Sequence, residues 1–267
     1  MRLTSIADLQ QPGIALMEQQ AMQLSRLFDD LLENYPDDSH MRAGGIHASE
    51  LCACKRQVVY DLLNVEKRGS APAIMRKRFN VGHAIHNMIQ NDMHLLSLHS
   101  QGRLLFQEEV SVNDTELAKR LCIASSCDGV FTFLDEEGQP ALRIGLEIKT
   151  ASPDDYDSLK KAKEKHIEQA HVYMACLDLP LMWFMYWNKG NQNYTPSVPP
   201  FLIRFDAKLW KKLEARAVEC LTAAEQEKLP DKEEGQHCRW CKYAWTCNPS
   251  TATPTQKRRI VPILGRR

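Results

Sequence analysis

Apolar residues fall at helical intervals towards both ends of the chain and at strand-like intervals in its middle. Ile14, Met17, Ala21, Leu24, Phe28 and Leu31 recur three and four apart, which predicts an amphipathic helix over 12–34 that Tyr35-Pro36-Asp37-Asp38-Ser39 ends. A second helical region follows, with Ser49 as its expected cap, a helix through Arg56 to Leu63 and another over about 76–98. The pattern then turns to strands at 104–112, 123–134 and 142–150, the last two joined by the turn Asp135-Glu136-Glu137-Gly138-Gln139-Pro140. One long helix is expected over roughly 155–176, then strands at 182–187 and 201–205 and a last helix over roughly 207–228. The fold class is therefore α/β: a central sheet in the order strand-strand-strand-helix-strand-strand, wrapped by helices.

Five regions follow from these patterns: an N-terminal helical extension at 1–45, a helical region at 46–100, a core at 101–206, a C-terminal helix with a cysteine cluster at 207–250, and a basic tail at 251–267. A chain of 267 residues with 43 % hydrophobic content can fill a proper interior. Lys+Arg and Asp+Glu are 34 each, so any affinity for a polyanion must come from local patches. No stretch reaches the roughly 18–20 apolar residues of a membrane span, and the N-terminus lacks the apolar run of a signal peptide, so a cytoplasmic protein without a membrane partner is expected. Nine cysteines in a reducing compartment read as core thiols and metal ligands rather than disulfides.

Glu147 and Lys149 alternate with Ile148 in the strand ending at Thr150, so both project from one face. Asp128 interrupts the preceding strand and is followed by Gly129, which lets the backbone approach a neighbour. If the two strands are adjacent, two carboxylates and an ammonium converge. Hard oxygen donors suit Mg²⁺ or Mn²⁺, and a nearby lysine can orient a water and neutralise charge growing on a phosphate.

In this order, Gly82-His83-Ala84-Ile85-His86, Asp128-Gly129, Glu147-Ile148-Lys149 and Gln169-Ala170-His171-Val172-Tyr173 resemble the motifs of the PD-(D/E)xK nuclease superfamily, in its RecB-like branch. The resemblance implies a restriction-endonuclease-like sheet. It also implies a metal held by His86, Asp128, Glu147 and the backbone carbonyl of Ile148, a catalytic Lys149, and Gln169 and Tyr173 against the substrate. His83 competes with His86, which alone matches the motif. The small polar lead-in Ser125-Ser126-Cys127 departs from the hydrophobic one usual in the family.

Cys238, Cys241 and Cys247 form a C-x₂-C-x₅-C run, and three thiolates leave a tetrahedral site one ligand short. Cys54 is the expected fourth, with Cys52 as its rival. The set resembles the iron–sulfur exonucleases of the same branch, among them the CRISPR-associated exonuclease of type four and the AddB nuclease domain, through Ser49, Leu51, Cys54 and Arg56 as well. That implies a 4Fe–4S cluster, with Zn²⁺ as the alternative and His237 able to replace a thiolate. Joining Cys54 to Cys238 would close a loop of roughly 180 residues and remove about 4–5 kcal/mol of unfolded-state freedom. Cys122, Cys127, Cys176 and Cys220 read as small core residues.

Basic clusters stand at 55–78, at Lys160, Lys161, Lys163 and Lys165, and in the acid-free tail, and the loop 188–200 offers Tyr194 to an unpaired strand. The whole predicts a metal-dependent exonuclease acting on single-stranded DNA or duplex ends in recombination, repair or end processing. Its expected partners are DNA and a helicase, annealing protein or other recombination factor, and the first helix is a candidate oligomerisation arm. The alternative is a catalytically silent DNA-binding or assembly module on the same scaffold.

Overall fold

The computed structural model describes residues 23–32 apart from 25 and 29, then 45–68, 73–235, 237–238 and 241–247. The chain divides into two units, Met1–Met41 with Ser70–Val81, and Arg42–Gly69 with Gly82–Arg267. In the first, the described part of 23–32 is helical and exposes Leu24, Leu27, Phe28 and Leu31. Most of the helix expected over 12–34 and the basic tail lie outside the described residues.

The second unit is built on one five-stranded sheet whose strands lie in chain order: β1 (Leu104–Ser111), β2 (Ser126–Leu134), β3 (Pro140–Ala151), β4 (Leu181–Asn188) and β5 (Leu202–Arg204). Every pairing is antiparallel except β3 with β4, so the sheet is mixed. A parallel pair needs a crossover, and the expected helix between β3 and β4 supplies it. That segment is not one helix. A short α5 (Pro153–Asp157), capped by the Ser152 hydroxyl on the Asp155 amide, stops at Ser158, and α6 (Glu164–Leu177) begins afresh. The break buries Ala162 and lets the Lys163 amide donate to the Tyr186 hydroxyl at 2.9 Å, contacts a continuous helix would forbid.

Four further helices precede or punctuate the sheet: α1 (Ala48–Leu51), α2 (Lys55–Leu62), α3 (Ala73–His99) and α4 (Glu116–Leu121). Two more close the chain, α7 (Ala207–Glu225) and α8 (Ala244–Cys247). The capping role expected of Ser49 is not observed: Ser49 lies inside the single turn of α1, whose N-cap is His47. Helix α4 was missed because it is only six residues long; its signal is Thr115, whose hydroxyl accepts from the Ala118 amide.

Two apolar layers sandwich the sheet. Val130, Met182, Phe184 and Tyr186 join residues of α1, α2, α6 and α7 in the larger cluster. Phe131, Leu146, Ile148 and Met185 join Ile89 of α3 in the smaller one. Gly129 is required by this packing, since a β-carbon there would stand 2.5 Å from the Phe106 ring.

Candidate active site

The β2–β3 ladder ends at the pair Gly129 and Leu146, and towards Asp128 and Glu147 the two strands separate. The frayed end is closed by side chains instead of backbone pairs. Asp128 Oδ2 accepts from the Ile148 amide at 2.6 Å. The Cys127 thiol, fully buried, reaches the carbonyls of Gly129 at 3.3 Å and Leu146 at 3.4 Å. The small residue before Asp128 thus has a structural use: its thiol reaches the carbonyls of the last pair of the ladder.

Onto this opening the helices bring the other residues. His86 Nδ1 lies 3.6 Å from Asp128 Oδ1. Gln90, one turn further along α3, donates to the Asp128 carbonyl at 2.8 Å and to Glu109 Oε1 at 3.0 Å. His83 is exposed whereas His86 is half-buried, so the latter is the histidine that meets the carboxylates. On the opposite side, Lys149 Nζ sits 2.6 Å from Glu147 Oε1 and 3.4 Å from Gln169 Oε1 of α6, and the Gln169 amide donates to the Tyr173 hydroxyl at 2.9 Å. All seven residues singled out from the sequence therefore stand in one connected set.

Its electrostatics are those of a low-dielectric acidic pair beside an ammonium. Burial, then the Asp128 carboxylate, push Glu147 up to about 7 against the pull of Lys149. Burial works against the charge on Lys149, but Glu147 outweighs it and holds the ammonium above the usual lysine range. Burial likewise opposes protonation of His86, and Asp128 outweighs it. Glu147 is only 2 % exposed, and its second oxygen, Oε2, has no hydrogen-bond partner. A buried carboxylate oxygen left without a donor is costly unless a cation completes it. Two carboxylates, an imidazole and a nearby carbonyl make a hard donor set that fits Mg²⁺ or Mn²⁺.

Behind Lys149, Tyr186 pairs with it across β3 and β4. Its hydroxyl accepts from the Lys163 amide and lies 2.8 Å from His166 Nδ1. Burial, followed by the nearby Lys149 and Lys163 charges, lowers His166 to about 4, so the imidazole is neutral near pH 7. Sequence reasoning missed this pair, because nothing local says which strand residue lies beside Lys149.

In the same unit, Cys54, Cys238, Cys241 and Cys247 line one cavity with His237, whose Nε2 is buried and without a partner. Cys52 is not among them; its thiol donates to the Ala48 carbonyl at 3.2 Å. Four thiols facing one space suit iron or zinc alike. Among the described residues no three His, Cys, Asp or Glu side chains are gathered closely enough to share an ion as they stand, here or at Asp128.

No protein-family model matches the chain, and no curated protein matches it. Solved structures do. An alkaline exonuclease, LHK-Exo from Laribacter hongkongensis, is 14 % identical with a TM-score of 0.50, over 70 % of this chain and 91 % of that one. The same enzyme in complex with dAMP gives 17 % and 0.48, and a protein solved as SSO0001 gives 14 % and 0.47 over 88 % of this chain. The α/β fold with a five-stranded mixed sheet is thus similar to a nuclease fold.

Proposed function

We propose that the chain is a metal-dependent deoxyribonuclease of the PD-(D/E)xK type, acting as an exonuclease on single-stranded DNA or duplex ends. The observation that carries this reading is the frayed end of β2 and β3, where the His86–Asp128 pair and the Glu147–Lys149 pair stand on adjacent strands and one buried carboxylate oxygen lacks a partner. The solved alkaline exonuclease with a similar fold supports it.

His86, Asp128, Glu147 and the Ile148 carbonyl would hold Mg²⁺ or Mn²⁺. A divalent ion there supplies a more acidic bound water and charge to offset that on the phosphate. Lys149 is held cationic by Glu147, which places a fixed positive charge where a phosphoryl oxygen would gain negative charge. Gln169 orients that ammonium through its carbonyl and is itself fixed by Tyr173. Asp128 is locked by the Ile148 amide, so its orientation is set before substrate arrives. Cys54, Cys238, Cys241 and Cys247 would hold the 4Fe–4S cluster or zinc as a structural clip.

End-labelled single- and double-stranded DNA, incubated with the protein while Mg²⁺ and Mn²⁺ are varied, tests the proposal, with Lys149→Ala as control. Metal-dependent shortening from an end that disappears in the variant is expected. Cleavage that survives both Lys149→Ala and Glu147→Ala would refute this assignment. The absence of any cleavage by the wild type would favour the silent DNA-binding module. Iron and acid-labile sulfide analysis against zinc analysis decides the cysteine site.

A further inference from the structure

On the sheet face covered by α3, six rings form a continuous ladder. His94 contacts Phe106 with centroids 5.0 Å apart, Phe106 contacts Phe131 at 4.8 Å, and Phe131 meets Trp183 of β4 at 6.4 Å. Trp183 is then 6.4 Å from Tyr194, whose ring lies nearly parallel to Trp187 at 6.0 Å and 6°. The ladder passes through buried Phe106 and Phe131 between two part-exposed ends, His94 and Tyr194, the latter 51 % exposed.

The loop bearing Tyr194 is tied down on both sides. Asn188 donates its amide to the Asn193 carbonyl at 2.8 Å, and Trp187 Nε1 donates to Gln192 Oε1 at 2.9 Å. Buried Thr195 accepts from the Tyr186 amide at 2.9 Å and donates to the Phe184 carbonyl at 2.7 Å through the same hydroxyl, while its carbonyl accepts from Trp183 Nε1 at 3.1 Å. Such anchoring holds a large ring in water in one orientation. Thr195 and Asn188 fasten the loop by hydrogen bonds, and Tyr194, bridged to Trp187 through its backbone and packed on two tryptophan rings, still leaves about half of its surface open to a further contact.

Its place suggests one. Trp187 pairs with Thr150, the residue after Lys149, and Trp187 and Ile85, the neighbour of His86, pack against the same apolar cluster. The ring pair therefore sits at the same end of the sheet as Glu147 and Lys149, on the opposite face, which is the one covered by α3, the helix that carries His86. It presents a flat aromatic surface, and Lys189 follows Trp187 by two residues. A planar ring stacks on any base, whatever its sequence, provided the base face is not already covered by neighbours as in a duplex.

We propose that Tyr194, backed by Trp187, stacks on an unpaired base of single-stranded DNA entering or leaving the site at Glu147 and Lys149. This rests on the nuclease reading and names the substrate form that the site would select. Pre-anchoring makes the contact cheap, because little side-chain freedom remains to be lost on binding.

The test uses the full chain without divalent metal and a fluorescently labelled oligo-dT strand, with anisotropy as the readout, alongside the same strand built from abasic sugars and a blunt duplex. Tyr194→Ala is expected to weaken oligo-dT binding by roughly ten- to a hundredfold. Tyr194→Phe keeps it within about twofold, since the ring face is retained. The abasic strand and the duplex should bind wild type and Tyr194→Ala alike. Equal oligo-dT affinity of wild type and Tyr194→Ala overturns the proposal, and so does an equal loss on the abasic strand, which would mark a structural role. Should Tyr194→Ala misfold, a 2-aminopurine strand titrated into the wild type decides: quenching of the base is expected, and its absence refutes stacking. Binding is read without cleavage, so stacking by a protein that never cuts DNA removes the nuclease reading alone, and cutting that ignores Tyr194 removes this proposal alone.

Discussion

The frayed sheet end and the cysteine end gather their residues in opposite ways. At the sheet, strand register does much of the work: Glu147 and Lys149 come from one strand and Asp128 from its neighbour, while His86, Gln169 and Tyr173 arrive on helices. At the cysteines, residue 54 must meet residues 238–247 across most of the chain, and hydrogen bonds tie the same segments together. Lys55 donates its amide to Glu233 at 2.7 Å, and Arg56 places two nitrogens on the Pro230 carbonyl at 2.8 and 2.6 Å. Arg216 binds both oxygens of Glu233 at 2.8 and 2.6 Å. Tyr243 donates to Asp61 at 2.6 Å, and the Arg68 guanidinium lies 3.8 Å over the Trp245 ring. A cluster bound here would reinforce a junction that hydrogen bonds and stacking already define. At the sheet end, Glu147 Oε2 is buried without a hydrogen-bond partner, while Asp128 and Lys149 are fixed by the Ile148 amide and by Glu147 and Gln169. One region ties distant segments together with direct hydrogen bonds, and the other concentrates buried charge on a few residues.

The largest expected effect separates the two regions by activity. Lys149→Ala or Glu147→Gln should lower cleavage by about 10²- to 10⁴-fold, measured by end-labelled DNA digestion. Neither should alter far-ultraviolet circular dichroism, but Glu147→Gln should lower the thermal midpoint, since it leaves the largely buried Lys149 ammonium without the carboxylate 2.6 Å away. An unchanged midpoint would break the contrast, since the buried pair would then carry no stability.

At the cysteine end the order reverses. Cys241→Ser should cost up to about 4 kcal/mol in urea unfolding of protein isolated with its metal, and almost nothing after chelation. A similar loss in both states would make the thiol, rather than the ion, the stabilising element. Glu233→Ala should cost about 1–2 kcal/mol in either state, because it strands Arg216 and the Lys55 amide in a half-exposed setting. Cleavage of DNA by the folded Glu233→Ala variant should stay unchanged.

The smallest effect concerns pH. Folding holds His166 near 4 where the unfolded chain titrates near the ordinary histidine value of 6.5. Between those values the unfolded state binds more protons, so this group costs nothing above about pH 6.5 and lowers stability progressively as pH falls towards 4. Unfolding midpoints followed from pH 7 to pH 4.5 should fall less steeply in His166→Asn than in the wild type. Parallel slopes would show that burial and the Lys149 and Lys163 charges do not hold the imidazole neutral.

Much of this could be read along the chain. Alternation fixed Glu147 and Lys149 on one face, the spacing Gln169 to Tyr173 fixed one helical stripe, and strand order placed the crossover between β3 and β4, because these depend only on the geometry of single elements. The break at 158–163 could not be read, since it exists to bury Ala162 and to reach Tyr186, a residue more than twenty positions away. The Tyr186–His166 pair and the aromatic ladder to Tyr194 depend on tertiary structure for the same reason. Local periodicity determines which face a side chain takes, but what lies across from that face is set by packing between elements that the sequence leaves far apart.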